Sequence, residues 1–122
     1  MTFAEHEAFH KDFRQLTKRW PSLPEDLAVL KKVLAVMPAE RPPLSLRIAG
    51  LKTDRYVVKV KKIACRSLKG KGANTGLRLV YAWLEAEKRI VLIELYHKSD
   101  QENEDRERIK GWVKRVDAMK GK

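Results

Sequence analysis

Residues Lys69 to Asp100 read KGKGANTGLRLVYAWLEAEKRIVLIELYHKSD. A basic, glycine-punctuated segment leads into two apolar runs, Leu77 to Leu84 and Ile90 to Tyr96, rich in Val, Ile, Leu and aromatic residues. Glu85 to Arg89 separates them with a polar break of turn length. This pattern predicts a β-hairpin. Both runs are apolar on both faces, which predicts central strands covered on each side. The polar exceptions are Arg78 at the start of the first run and His97 and Lys98 at the end of the second. An antiparallel hairpin brings these to one end of the sheet.

Upstream, Arg55 to Cys65 (RYVVKVKKIAC) reads as a strand with a basic-leaning face that carries Lys59 and Lys61. Leu44 to Leu51 allows a short extended piece ending at Gly50. The N-terminal part reads as helical. Thr2 and Glu5 have capping-box spacing, and Phe9, Phe13, Leu16 and Trp20 lie on one helical face up to Pro21. Ser22 with Glu25 gives a second capping box. Leu27, Leu30, Leu34 and Met37 form a second stripe, closed by Pro38. The short link between the two predicts an antiparallel helical hairpin. Downstream, Ser99 with Glu102 gives a third capping box, and Glu102–Arg106 and Glu104–Arg108 have the favourable i,i+4 orientation. Ile109, Trp112, Val113 and Val116 supply the apolar stripe of a final helix, with residues 120–122 as a frayed tail. The predicted fold is α+β: an N-terminal helical hairpin packed on a small, mainly antiparallel sheet, with a C-terminal helix.

A chain of 122 residues supports one domain, residues 1–122. The N-terminus MTFAEHEAFHKDF is charged throughout, which argues against an export signal and for the cytoplasm. No apolar run approaches the roughly 20 residues that cross a bilayer. One cysteine, Cys65, excludes an internal disulfide and reads as a strand-core residue rather than a nucleophile. His6 and His10 stand at i,i+4 with Glu7 and Asp12 nearby, but no third ligand has suitable spacing, so no metal or cofactor is expected.

Charge gives the first functional signal. Lys and Arg number 27 against 16 Asp and Glu, a net +11. Such a domain attracts polyanions, nucleic acid before membrane surfaces, because no helix combines a basic face with a bare apolar one. Arg66 to Asn74 superficially resembles a phosphate loop but lacks the spacing and the following helix. Its glycines and the cations Arg66, Lys69 and Lys71, with Lys59 and Lys61 alongside, suit phosphate contact. Arg78, at the start of a buried strand, needs either a pocket or a partner, and Glu94 offers one. His97, at a strand end, suits either a surface turn or proton transfer near neutral pH.

The stretch from Arg66 to Ile109 resembles the RelE/ParE superfamily of type II toxin–antitoxin toxins. The carrying motifs are Gly76-Leu77-Arg78-Leu79-Val80-Tyr81, Tyr96-His97-Lys98-Ser99-Asp100 and the acidic start of the last helix; the opening helix is similar too. The RelE branch implies an mRNA endoribonuclease that works at the ribosome without metal, through attack of the ribose 2′-hydroxyl on the adjacent phosphate. On that resemblance Arg78 would hold the transition-state phosphate and His97 would be general acid or base. Lys98 would be a second phosphate contact, and Lys59 and Lys61 would hold the RNA backbone. The implied partners are a cognate antitoxin, mRNA and the ribosome. This chain departs from the family where RelE has an arginine after the last strand and a tyrosine in the last helix. A glutamate used by YoeB-like enzymes has no evident counterpart. The ParE branch implies instead a toxin that binds DNA gyrase without catalysis, and a non-catalytic RNA-binding domain is a third alternative.

Overall fold

The hairpin forms where its apolar runs place it. In a computed structural model that describes residues 1–120, β4 spans Leu77–Leu84 and β5 spans Arg89–His97. They pair antiparallel, Leu77 opposite His97 and Leu84 opposite Arg89. A bulge between Val80 and Tyr81 puts an extra residue on β5, since Val80 faces Glu94 while Tyr81 faces Leu92. Strand β3 (Tyr56–Val60) pairs antiparallel with β4, and β2 (Ser45–Arg47) with β3.

The fifth strand corrects the reading of the N-terminus. Thr2–Glu5 is β1, parallel to β5, and does not cap a helix. A long central β5 leaves one flank open. A ladder reaching from Thr2 N–H to the Lys88 carbonyl (3.0 Å) and from His6 N–H to the Leu92 carbonyl (2.8 Å) satisfies more backbone groups than one capping box would. The mixed sheet runs β1-β5-β4-β3-β2.

Helix α1 spans Phe9–Arg19 and α2 spans Leu23–Val36; α3 spans Arg106–Lys120. Of the tail expected to fray, residue 120 ends α3, and residues 121–122 lie outside the described ones. Phe9 and Leu16 of α1 and Leu23, Leu27 and Leu34 of α2 share one apolar cluster with Val58, Leu79, Tyr81 and Leu92. Ile109, Trp112 and Val113 of α3 form a second with Val57, Val80, Ala82 and Ile93. The two central strands are therefore covered on both faces. The molecule is α+β, with three helices and one mixed sheet. Among the described residues no helix is long and apolar enough to cross a membrane.

The helix caps differ from the sequence reading. Ser22 makes no capping bond; its hydroxyl donates to Asp26 (2.6 Å) and accepts the Ser67 amide (2.8 Å), tying α2 to the loop after Cys65. The last helix begins seven residues after Ser99. Asp105 caps it, accepting the Arg108 amide at 3.0 Å, while the Asp105 amide donates to Glu94 at 2.8 Å. Glu102–Arg106 and Glu104–Arg108 do not pair as predicted, because residues 102 and 104 precede the helix; Arg108 pairs with Asp12 instead.

Asp12 and Arg108 close a gap in the sheet. Beyond Leu92, β5 has no β1 partner. There the Leu95 amide donates to the Asp12 carboxylate (3.1 Å) and Arg108 donates to the Ile93 carbonyl (3.0 Å), while the two side chains pair at 2.6 Å. One ion pair thus links α1 to α3 across an open strand edge.

Buried His6, just past β1, is held neutral. Burial lowers its pKa from the ordinary 6.5, and the charges of Arg108 and Arg115 add to this. The Ala8 amide donates to its Nδ1 (3.0 Å), and Arg115 faces its Nε2 at 3.1 Å, so a second ring proton would meet a donor on either side. With the folded pKa below the unfolded one, the unfolded chain takes up a proton first as pH drops. The contribution is complete above about 6.5 and fades as pH falls below it toward the folded value. Thermal midpoints recorded from pH 7 to pH 5 are expected to fall, and His6→Asn to flatten that part of the slope; an unchanged slope would show that His6 is not its source.

Candidate nucleic-acid interface

The predicted site residues gather at one end of the sheet, as the hairpin requires, but on two faces. Paired residues of neighbouring strands share a face, and alternate residues along a strand switch faces. Leu77 opposes His97 and Arg78 opposes Tyr96. His97 therefore lies on the side of α1 and α2, where its ring packs against Trp20 at 5.0 Å between centroids. Arg78 lies on the α3 side with Tyr96. The two share an end of the sheet, as the hairpin predicts, but a single position of register puts them on opposite faces.

His97 is held by its surroundings. The Ser99 amide donates to Nδ1 at 3.0 Å, so Nδ1 is an acceptor and Nε2 carries the proton, which it gives to the Thr75 carbonyl at 2.8 Å. The Ser99 hydroxyl sits 2.7 Å from Nδ1. Gly76 makes this fit possible: at φ +87°, a Cβ there would lie 2.7 Å from the imidazole Nε2. Arg19 covers Trp20 (4.3 Å) and pairs with Asp100 (2.5 Å), binding the end of β5 to the end of α1. Ser99, expected as a cap, serves His97.

Arg78 is half-buried and free of carboxylates. Its Nη1 donates to the carbonyls of Lys61 (2.9 Å) and Leu77 (3.2 Å), and no described acid pairs with it. The partner expected for it, Glu94, instead binds the Asp105 amide and the Gln101 amide group (2.9 Å). Burial pushes the Glu94 carboxyl above its ordinary value, against those two bonds. Lys61 follows the end of β3 beside Arg78. Lys98 is exposed, and its amide donates to the Gly76 carbonyl at 2.9 Å.

The other expected cations divide. Lys59 gives its ammonium to buried Glu104 at 2.7 Å. Burial alone would raise the Glu104 pKa, but bonding to Lys59 and the charge of Arg106 hold it below the ordinary carboxylate range. Arg66 pairs with Glu25 and, at 3.5 Å, with Asp26. These two cations already have anions. Lys69 and Lys71 stand exposed in the loop before β4, where Gly70 and Gly72 take positive φ. The predicted carboxylate-free set is therefore Arg78, Lys61, Lys98, Lys69 and Lys71.

Sequence reasoning missed Tyr96 and Glu104. The Tyr96 hydroxyl is buried with no hydrogen-bond partner among the described residues. Its pKa is pushed up to about 12 by burial, then by Glu104 and Glu94, against the pull of Arg78, so it stays protonated. In the sequence Tyr96 is hidden inside an apolar run. Glu104 reads as part of a helix face, and nothing local ties it to a lysine in β3. Cys65 is buried, in keeping with a core role. Among the described residues no group of three or more His, Cys, Asp or Glu is arranged to hold a metal. No protein-family model and no curated protein matches this chain.

Proposed function

We propose that this chain is the toxin of a type II toxin–antitoxin pair, an endoribonuclease of the RelE kind that cleaves mRNA at the ribosome and is restrained by an acidic antitoxin in the cytoplasm. The observation that carries the reading is Arg78, an arginine with no acid partner among the described residues, at the mouth of the sheet. Net charge +11 and the resemblance of the G-x-R-x-V-Y stretch support it.

The chemistry follows from what the site offers. The 2′-oxygen attacks the adjacent phosphorus, the bond to the departing 5′-oxygen breaks, and charge builds on the two non-bridging oxygens between those events. Arg78 presents a planar fork to that charge, with Lys61 and Lys98 as flanking cations. Lys69 and Lys71 lie along the path of the RNA backbone. His97 moves a proton only after leaving Thr75 and Ser99.

That last requirement favours a second reading, a ParE-type or RNA-binding protein without catalysis, in which His97 is purely a brace. Translating ribosomes incubated with the purified chain separate the two: new mRNA ends carry the first, and intact mRNA overturns it. His97→Ala should abolish cleavage if the imidazole transfers the proton. Cleavage retained at the wild-type rate would remove His97 from the reaction.

A further inference from the structure

Of the buried side-chain oxygens without a hydrogen-bond partner among the described residues, one belongs to Thr17 of α1 and the other is the Tyr96 hydroxyl. Tyr96 is 4% exposed, and a buried hydroxyl left unbonded costs stability. The carboxylates whose charges reach it are already engaged. Glu94 accepts from Gln101 (2.9 Å) on one oxygen and from the Asp105 amide (2.8 Å) on the other. Glu104 accepts from Lys59 (2.7 Å) on one and from Arg106 (3.0 Å) on the other. The phenol also keeps its proton, because burial pushes its pKa up to about 12. Tyr96 is thus a neutral donor with no described acceptor.

Its place in the sheet gives that donor a use. Tyr96 stands directly opposite Arg78. Residues so paired share a face, with Cβ atoms roughly 4.5–5.5 Å apart. Arg78 gives Nη1 to two carbonyls and pairs with no described acid. The α3 side of this end therefore sets a cation without a described anion beside a donor without a described acceptor. We infer that Tyr96 is a second anion-binding residue of this site, its hydroxyl donating to an oxygen of the phosphate that Arg78 holds. The inference rests on the reading of the Arg78 end as an RNA site and adds a residue to it. A guanidinium and a phenol reach different oxygens of one phosphate, and a donor that needs no rearrangement of bonds is ready when the anion arrives. Residues 98–105, which form neither helix nor strand, lie over this face through Gln101 on Glu94 and Glu104 on Lys59. The part of this segment over Tyr96 moves aside as the phosphate enters. The role is that of a donor and not of a base, since a phenol with so high a pKa does not give up its proton near neutrality.

The test is Tyr96→Phe in the full chain, which removes one oxygen and keeps the ring. The probe is a single-stranded RNA oligonucleotide made uncleavable by 2′-deoxy substitution and followed by fluorescence anisotropy. Tyr96→Phe is expected to weaken binding by about tenfold to a hundredfold, the range for a hydrogen bond to a charged group. The slope of log affinity against log salt should stay as in the wild type, because no cation is lost. The thermal midpoint should hold or rise, because the lost hydroxyl has no described partner in the free chain. In mRNA cleavage on ribosomes the rate should fall while the shape of its pH profile stays the same. A midpoint lowered by about 4 °C or more would show that the hydroxyl is bonded in the free chain, and overturns the inference. A pH profile that loses one limb overturns it as well, by making Tyr96 a proton carrier. If the wild type binds the oligonucleotide and Tyr96→Phe binds it equally, the inference fails and the reading of the Arg78 end stands. A wild type that binds no RNA overturns both. A wild type that binds RNA but leaves mRNA intact overturns the endoribonuclease alone, and the binding comparison still decides Tyr96.

Discussion

Asp12→Ala is expected to lower stability by roughly 3 kcal/mol, the scale of loss when one partner of a largely buried ion pair is removed. Surface pairs contribute little: Arg19–Asp100, with side chains 46% and 48% exposed, belongs to the class worth roughly 0–1 kcal/mol. Asp12 and Arg108 are each only 17% exposed, and their link is more than a pair. Asp12 also receives the Leu95 amide, and Arg108 also serves the Ile93 carbonyl, at the part of β5 that β1 does not reach. Removing the carboxylate leaves a half-buried guanidinium without its anion and a strand amide without its acceptor. In a domain of this size the loss corresponds to a drop in thermal midpoint of roughly 10 °C or more. Asp12→Asn, which keeps an acceptor for Leu95 but no charge, should fall between. Asp12→Ala with Arg108→Ala should cost less than the two single losses added, because the second change removes the stranded charge. A midpoint shift under about 2 °C for Asp12→Ala would show that solvent reaches the pair freely.

The hairpin was legible because burial on both faces leaves a continuous apolar run, and such a run marks a strand's limits well. Leu77–Leu84 is bounded as the sequence suggests, and the second run extends by one residue at each end, to Arg89–His97. The stripe of the last helix, Ile109, Trp112, Val113 and Val116, was equally visible because periodicity is local. What escaped depends on distant partners. Thr2–Glu5 has a helix-start pattern, yet the open flank of β5, more than eighty residues away, makes it a strand. The start of α3 is decided by Asp105 and by Glu94 beneath it, not by the nearer Ser99. The charge partners of Lys59 and Arg66 lie 45 and 41 residues away, beyond any spacing rule for one helix. The division of Arg78 from His97 is subtler. The hairpin fixes that they share an end. Whether they share a face depends on which residue stands opposite His97, and one step of register reverses the answer.

That division makes Arg78 the decisive residue for the proposed reaction. Arg78→Ala is expected to slow RNA cleavage by about 10²–10³-fold, the range seen when a preorganised donor to a developing anion is removed. The fold should survive: the side chain is half-buried, and its two hydrogen bonds go to carbonyls at a strand end, one of which, that of Lys61, follows the last residue of β3. Arg78→Lys keeps the charge but loses the planar fork, so it should recover binding better than rate. Salt titration adds a measurement that a folding defect would not mimic. Removing one cation that neutralises a phosphate of single-stranded RNA should flatten the slope of log affinity against log salt by about 0.7. Lys61→Ala and Lys98→Ala should flatten it in the same way. Arg66→Ala should not, because its charge is already matched by Glu25 and Asp26. Lys59→Ala should show itself in stability instead, since it strands the buried Glu104. If Arg78→Ala left both the rate and the slope unchanged while Arg66→Ala altered them, the RNA would be crossing the α2 side of the sheet, and the assignment of the α3 side would fail.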